Sequence, residues 1–270
     1  MRALLAGAPS FAADLWTRRR TILQLGIDDF RKQYIGSALG ILWAVLKPAV
    51  HVVSLWLIFS VGFRQGRSGT YPFVLYILSG TCLWQFVSEA LAKGTQAVTE
   101  NSHLVKKVVF PLGFLPVVRL LSSLLFHLVF LGLVAAVSIL TGHPPGLAVL
   151  QLPYYLLAGV ALLLGTVWAT SALRVFVKDV GEIVQILLLM GFWLTPVFWD
   201  IRSFSPTVAF FLKLNPAYYL VNGYRESLYG GAWFWEHPAL TAYFWSLTAL
   251  LLAGGAAIFR KLRPHFADVL

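Results

Sequence analysis

Six long apolar runs organise the chain, at 40–63, 71–91, 111–140, 149–173, 183–199 and 238–259, with polar or proline-bearing stretches between them. Hydrocarbon offers the backbone no hydrogen-bond partner, so a crossing segment must be a helix of about 20 mostly apolar residues or a strand of a closed barrel. The runs are continuous, whereas a barrel strand shows about 10 residues of alternating pattern, so the pattern predicts helices. The third run is longer than a crossing needs and either tilts or breaks near Pro111 and Pro116. Residues 201–235 are aromatic, but Pro206, Pro216 and the Gly230–Gly231 pair interrupt them. That pattern reads as two short helices dipping back into the membrane, with an ordinary surface loop as the alternative.

Ahead of the first run, Leu23, Ile27, Phe30 and Tyr34 recur at steps of four, three and four, which places them on one helical face. Arg18, Arg19, Arg20, Arg31 and Lys32 surround that face. The expected architecture is an all-α integral membrane protein. Residues 1–38 supply a cytoplasmic amphipathic helix in the membrane interface, and residues 39–270 a domain of six transmembrane helices with re-entrant helices at about 201–236.

Charge sets the orientation. With the amino end in the cytoplasm, that side holds Arg2, Arg18, Arg19, Arg20, Arg31, Lys32, Lys93, Lys106, Lys107, Arg174, Lys178, Arg260, Lys261 and Arg263, fourteen of the 21 Lys and Arg. Arg64, Arg67, Arg202, Lys213 and Arg225 fall outside, and Lys47 and Arg119 fall within runs. Cytoplasmic loops are the lysine- and arginine-rich ones, so both termini are expected inside, in agreement with an even number of crossings.

Composition agrees with a lipid environment: 59% of the residues are hydrophobic, 12% are charged and the mean hydropathy is +0.76. The net charge of +10 would point to nucleic acid in a soluble protein, but here its placement serves topology and no nucleic-acid partner is expected. Cys82 is the single cysteine and cannot form an intrachain disulfide. Residues 3–15 make a poor signal peptide, because Pro9 and Asp14 interrupt their apolar character.

Catalytic patterns are absent from the sequence. It contains no G-x-x-x-x-G-K-[ST] phosphate loop, H-E-x-x-H, G-x-S-x-G or metal-spaced Cys/His cluster, so neither metal nor cofactor is expected in this chain. His51, His103, His127, His143, His237 and His265 are scattered, and structural or solvated roles suit them. Lys47, Glu89 and Arg119 lie close enough to the ends of their runs to snorkel, which argues against a proton relay. Any uphill transport must then draw its energy from a partner.

Aromatic residues make up 15% of the chain, and Trp43, Trp56, Phe59, Tyr76, Trp84, Phe86, Phe192, Trp193, Phe198 and Trp199 fall inside the runs. Each alone suits packing or lipid contact. As a group they suit a channel for glycan, because the apolar faces of sugars stack on aromatic rings.

Four segments resemble the membrane subunits of type-2 ABC exporters of the polysaccharide family, which carry O-antigen, capsule or teichoic acid. Residues 31–48 (RKQYIGSALGILWAVLKP) resemble that family's passage from basic interface helix into the first span, although the family commonly has asparagine where Lys47 stands. Asn101, Leu104, Lys107, Phe110 and Pro111 are similar to its cytoplasmic coupling helix, here at about 93–110. Residues 174–182 (RVFVKDVGE), leading into Phe192-Trp193-Leu194-Thr195-Pro196, resemble the second cytoplasmic connection, with Lys178 where the family usually has arginine. Leu214-Asn215-Pro216 with 221–226 (VNGYRE) looks like the re-entrant region before the last span.

The resemblance implies a bacterial inner-membrane permease that works as a homodimer with two ATPase subunits, which bring ATP and magnesium. It implies contact with those subunits through Asn101, Leu104, Lys106, Lys107, Lys178, Asp179 and Glu182, and an external gate at Asn215, Tyr224 and Arg225. The implied substrate is a polyprenyl-pyrophosphate-linked polysaccharide whose head meets Arg31 and Lys32 first and Arg18, Arg19 and Arg20 second. A drug or lipid exporter of the same fold and a passive channel are alternatives within transport. A membrane-embedded glycan enzyme is the alternative outside it, and it would need paired carboxylates. Asp28 and Asp29 are adjacent and so diverge by about 100° on a helix.

Overall fold

The computed structural model describes residues 17–62, 67–68, 71–102 and 111–270. Apart from a two-residue hairpin, β1 (Arg67–Ser68) with β2 (Tyr71–Pro72), its elements are helical. They are α1 (Arg19–Lys32), α2 (Trp43–Trp56), α3 (Phe73–Gln96), α4 (Phe114–Leu140), α5 (Leu152–Phe176), α6 (Val180–Leu194), α7 (Pro206–Lys213), α8 (Pro216–Tyr229), α9 (Pro238–Leu262) and the short α10 (Phe266–Val269). One end of the bundle carries the hairpin. The other carries Lys93, Arg119, Arg174, Arg260 and Lys261 and is called the basic end.

Among the described residues, five helical stretches are long and apolar enough to cross a bilayer: Gly40–Phe59, Phe73–Gln96, Phe114–Leu140, Leu147–Phe176 and Pro238–Val269. They correspond to five of the six apolar runs. The 183–199 run differs, because its helix, α6, ends at Leu194 after 15 residues. At 1.5 Å per residue that is about 22 Å, short of the roughly 30 Å of hydrocarbon. Pro196 accounts for the stop, since a proline disfavours helix in the residue before it. The third run does not break. Its helix starts beyond Pro111, and Pro116 falls in the first turn, where no intrahelical amide is required.

The 201–235 segment forms α7 and α8, two short helices each opened by a proline. Asn215 caps α8 by accepting from the Ala217 amide at 3.0 Å and donates to Thr195 Oγ1 at 2.8 Å. Ala217 packs with Trp84, Val184 and Leu188, about midway along α3, whereas the Tyr229 hydroxyl donates to the Leu75 carbonyl near the start of α3. α8 therefore runs beside the hairpin-end half of α3, with nearly every residue buried. Gly223 allows this approach, because a Cβ there would overlap the ring of Tyr155. At mid-depth, His127 Nε2 lies 2.8 Å from the Tyr224 hydroxyl, Cys82 Sγ lies 3.7 Å from His127 Nδ1, and the Phe86 ring stacks on the imidazole. This histidine is a satisfied core residue.

α1 packs lengthwise along the Phe114 half of α4, and α2 continues along the other half. Ile22 meets Phe114 and Val118, Phe30 and Tyr34 meet Leu125 and Phe126, and the His51 ring meets Phe130 edge-on. The face that α1 buries is Ile22–Gly26–Phe30, one position off the expected Leu23–Ile27 stripe, and Leu23 and Ile27 stay exposed. Gly26 explains the offset, because a Cβ there would stand 2.9 Å from Leu121 Cβ and hold the helices apart. Between α1 and α2 the chain turns at Gly36 and Gly40, with φ of +86° and +50°. That backbone region is readily open to glycine alone.

α5 and α9 pack backbone against backbone. A Cβ on Gly255 would lie 1.9 Å from the Gly165 carbonyl oxygen, and one on Gly165 would lie 2.5 Å from the Leu252 nitrogen. Such small-residue contacts let backbones approach where no hydrophobic force drives helices together in lipid. We expect Gly255→Ala to destabilise the protein by about 1–3 kcal/mol through overpacking. Gly132→Ala, with nothing within 4 Å of its Cβ, should be neutral or slightly stabilising. Melting temperatures of the two variants in detergent, compared with the parent, check this.

Candidate functional site

At the basic end, Arg119 of α4 holds two acids at once. Its Nη1 lies 3.1 Å from Asp29 Oδ1 on α1, and its Nη2 lies 2.6 Å from Glu100 Oε2 just beyond α3. Two nitrogens held apart in one rigid plane suit this double grip, a spacing that the single nitrogen of a lysine lacks. One turn away, Lys93 Nζ lies 2.5 Å from Glu89 Oε1 and donates to Gln33 Oε1 at 2.6 Å, and Gln33 Nε2 donates to Ser122 Oγ at 2.8 Å. These polar contacts pin α1 to α3 and α4.

Asn101, next to Glu100, folds its amide onto the Ala97 carbonyl at 2.8 Å. Leu104, Lys106 and Lys107 lie outside the described residues. Lys178 and Asp179 are exposed on the turn from α5 to α6, and Glu182 is exposed on the first turn of α6. Arg18, Arg19, Arg20, Arg31 and Lys32 are exposed along α1 and its start. The expected ATPase- and lipid-contact residues that the structure describes thus share the basic end, on three separate elements.

Towards the hairpin end, the break after α6 creates a second polar centre. Helix termini leave carbonyls without partners, and side chains cover them here. Thr195 Oγ1 donates to the Gly191 carbonyl, Trp199 Nε1 to that of Trp193 and the Tyr76 hydroxyl to that of Trp199. Arg225 of α8 is only 8% exposed. It donates through Nη2 to the Val197 carbonyl at 2.9 Å and through Nε to the Tyr76 carbonyl at 3.3 Å. Its guanidinium carbon lies 3.5 Å from the centre of the Tyr76 ring, a cation–π contact. Gly80 leaves the room, because a Cβ there would meet Arg225 Nη2 at 2.8 Å.

Beside Arg225 opens a cavity of about 780 Å³, walled by α8, the start of α9 and the 196–202 turn. Tyr218, Asn222, Glu226 and His237 bring hydrogen-bonding groups to it. Glu226 Oε1 accepts from Asn222 Nδ2 at 2.8 Å and faces His237 Nε2 at 3.2 Å. On its rim Arg202 forks onto Asp200, whose carboxyl those hydrogen bonds hold below the usual aspartate range.

Six of the ten expected channel aromatics form one series of ring contacts. Trp84 meets Phe192, Phe192 meets Trp193 and Phe198, Phe198 stacks with Phe59, and Phe59 reaches Tyr76 through Phe73. Trp199 joins through the Tyr76 hydrogen bond. Phe86 stands apart in the core. Trp43 and Trp56 lie on the outward face of α2, where Trp56 is 46% exposed, and Trp193 is 64% exposed on α6. Of the expected gate residues, Arg225 lines the cavity, Asn215 caps α8 and Tyr224 is buried on His127.

The Arg119 clasp and the Asn222–Glu226–His237 group were not singled out from the sequence. Asn222 and Glu226 are four apart on one helix, which carried a signal. The partners of Arg119 are 90 and 19 residues away and gave none.

The comparisons with known proteins extend over most of the chain. A family model described as "ABC-2 type transporter" matches residues 21–229. The chain is 27% identical over 261 residues to the O-antigen export system permease protein RfbA of Myxococcus xanthus, covering 94% of this chain and 97% of that one. It is 23% identical over 243 residues to the protein of the same name from Klebsiella pneumoniae, covering 90% and 92%. With more than half of its length matched by that model, and with five helices among the described residues long and apolar enough to cross a membrane, the chain belongs to the ABC-2 type transporter family.

Proposed function

We propose that this chain is the membrane subunit of an ATP-driven exporter. It carries a polyprenyl-pyrophosphate-linked polysaccharide, of the O-antigen class or a teichoic acid or capsule polymer, across a bacterial cytoplasmic membrane. The observation that carries this reading is the near end-to-end similarity to O-antigen export permeases.

In this reading the basic end faces the cytoplasm, together with both termini. α6 and the break after it serve as the fifth crossing, and α7 and α8 dip back from outside. Two copies pair through the uncovered apolar faces of α2 and α6, where Val50, Val53, Trp56, Ile186, Leu189 and Trp193 are exposed. The channel lies between them, with the ring series from Trp84 to Phe59 along its wall. Sugars slide over such rings without being held by any one of them.

Two ATPase subunits, carrying ATP and magnesium, dock on the segment around Asn101, Leu104, Lys106 and Lys107 and on Lys178, Asp179 and Glu182. Arg119 gives their push a route. Glu100, beside the docking segment, and Asp29, on α1, are held by one guanidinium, so displacement of that segment moves α1 and α4 together. The basic surface of α1, with Arg31, Lys32 and Arg18–Arg20, then meets the pyrophosphate head as the substrate is admitted.

Deleting the gene should strand lipid-linked glycan inside the cell. Increased drug sensitivity without stranded glycan would instead favour a drug exporter of the same fold. Arg119→Gln should leave ATPase turnover in the purified complex within about two-fold and lower export by about ten-fold, the size of a typical coupling free energy. Parallel loss of both activities would place Arg119 in stability rather than coupling. Replacing Phe59, Phe192 and Phe198 together by alanine should slow export of polymer, read as surface polysaccharide per cell at matched protein level, and unchanged export would remove the ring series from the pathway.

A further inference from the structure

Gln85, Glu89 and Lys93 recur every fourth residue of α3 and so form one polar stripe on an apolar helix. Lys47 and His51 do the same on α2. Both stripes face one cavity of about 340 Å³ under the corner where α1 passes into α2. Gln33 and Tyr34 of that corner close a third side, and Phe126 and Phe130 of α4 give it an apolar floor. The cavity reaches from the basic end to about half-way along α3. Polar and ionisable side chains gathered on the inner faces of apolar helices characteristically line a ligand path or pair with one another.

Part of the group is paired. The Lys93–Glu89 contact cancels one charge of each sign, and Gln33 is tied to Lys93 and Ser122. Lys47 is left over: its ammonium lies 5.7 Å from the centre of the Tyr34 ring, and among the described residues no carboxylate is within ion-pair distance. Gln85 is exposed to the cavity and makes no hydrogen bond with the described residues. The cavity therefore offers one uncompensated positive charge and a free amide above an apolar floor of two phenyl rings.

We propose that this cavity binds the phosphate of a membrane lipid, with the anion on Lys47 and Gln85 and the first chain atoms on Phe126 and Phe130. A single negative charge balances Lys47, and an ammonium meets phosphate oxygens from any direction, as a point charge. The volume sits at the small end of ligand pockets, enough for a headgroup and too little for a polymer. Two kinds of lipid bring this group: a bilayer phospholipid and a phosphorylated polyprenyl carrier. The carrier rests on the export reading given above, whereas the phosphate site does not.

The test uses the purified complex with its ATPase partner, delipidated in detergent and titrated separately with dioleoylphosphatidylglycerol, dioleoylphosphatidylcholine and polyprenyl phosphate, with bound lipid counted by native mass spectrometry. One or both anionic lipids should be retained over phosphatidylcholine. Lys47→Glu should weaken that retention by about ten-fold or more, while Lys47→Arg and Lys261→Gln, which lies outside the cavity, keep it. Retention of polyprenyl phosphate alone identifies the carrier as occupant, retention of phosphatidylglycerol alone identifies a bilayer lipid, and retention of both shows that the phosphate is what is read. Failure of the parent to retain either anionic lipid, or equal retention by Lys47→Glu, overturns the site. Lys47 is exposed, so its variants fold, and their melting temperatures verify this. Lys47-dependent retention in a protein whose deletion strands no glycan would leave the site standing and remove the export reading.

Discussion

The guanidinium of Arg225 is the contact on which the hairpin-end half of the structure depends. A helix that stops inside an apolar bundle leaves carbonyls that lipid cannot satisfy, and α6 stops there. Arg225 brings two donors to the break and to α3, and the Tyr76 ring beneath it shields the charge. The arginine reaches this place only because α8 folds back along α3, and α8 fits only because Gly80 and Gly223 give up their side-chain volume. Break, return helix and cavity are thus one arrangement. Removing one partner of such a group would leave a buried cation or bare carbonyls, which costs more than the contact itself is worth.

The basic end is built on a different principle. Arg119, Asp29 and Glu100 are partly solvated, so their attraction is screened and adds modestly to stability. Their worth is geometric, since one planar fork fixes three elements relative to one another. A locked, buried centre near the hairpin end and a solvated, exchangeable one at the basic end together make a bundle that is stiff at one face and adjustable at the other.

The elements that announced themselves in the sequence were those whose physics is local. Length and apolar continuity marked five helices long enough to cross a bilayer, and Pro206, Pro216 and the Gly230–Gly231 pair marked α7 and α8 because prolines and glycines act on their own backbone. What periodicity could not supply was the partner of each face. Leu23 and Ile27 satisfy the helical spacing as well as Ile22 and Phe30 do, and only the contact of Gly26 with Leu121 decides which pair is buried. The end of α6 at Leu194 was obscured because Phe198 and Trp199 keep the segment apolar after the helix has stopped. Phe86 and Trp193 are both aromatic within apolar runs, yet one is enclosed in the core and the other faces outward. Nothing in composition distinguishes them. The Arg119 clasp joins residues from three elements, and a relation of that kind exists only after folding.

The burial of Cys82 has a practical consequence. It is the single thiol in 270 residues, it is fully enclosed between α3 and α4, and it faces His127. Maleimides and spin labels react with accessible thiolates, and a thiol with no solvent contact offers them nothing. The natural protein is therefore already a silent background. One cysteine placed on α1, on the 178–179 turn or at the rim beside Asp200 would be the sole reactive group, and its rate of modification from either side of a sealed vesicle would report which compartment that residue faces.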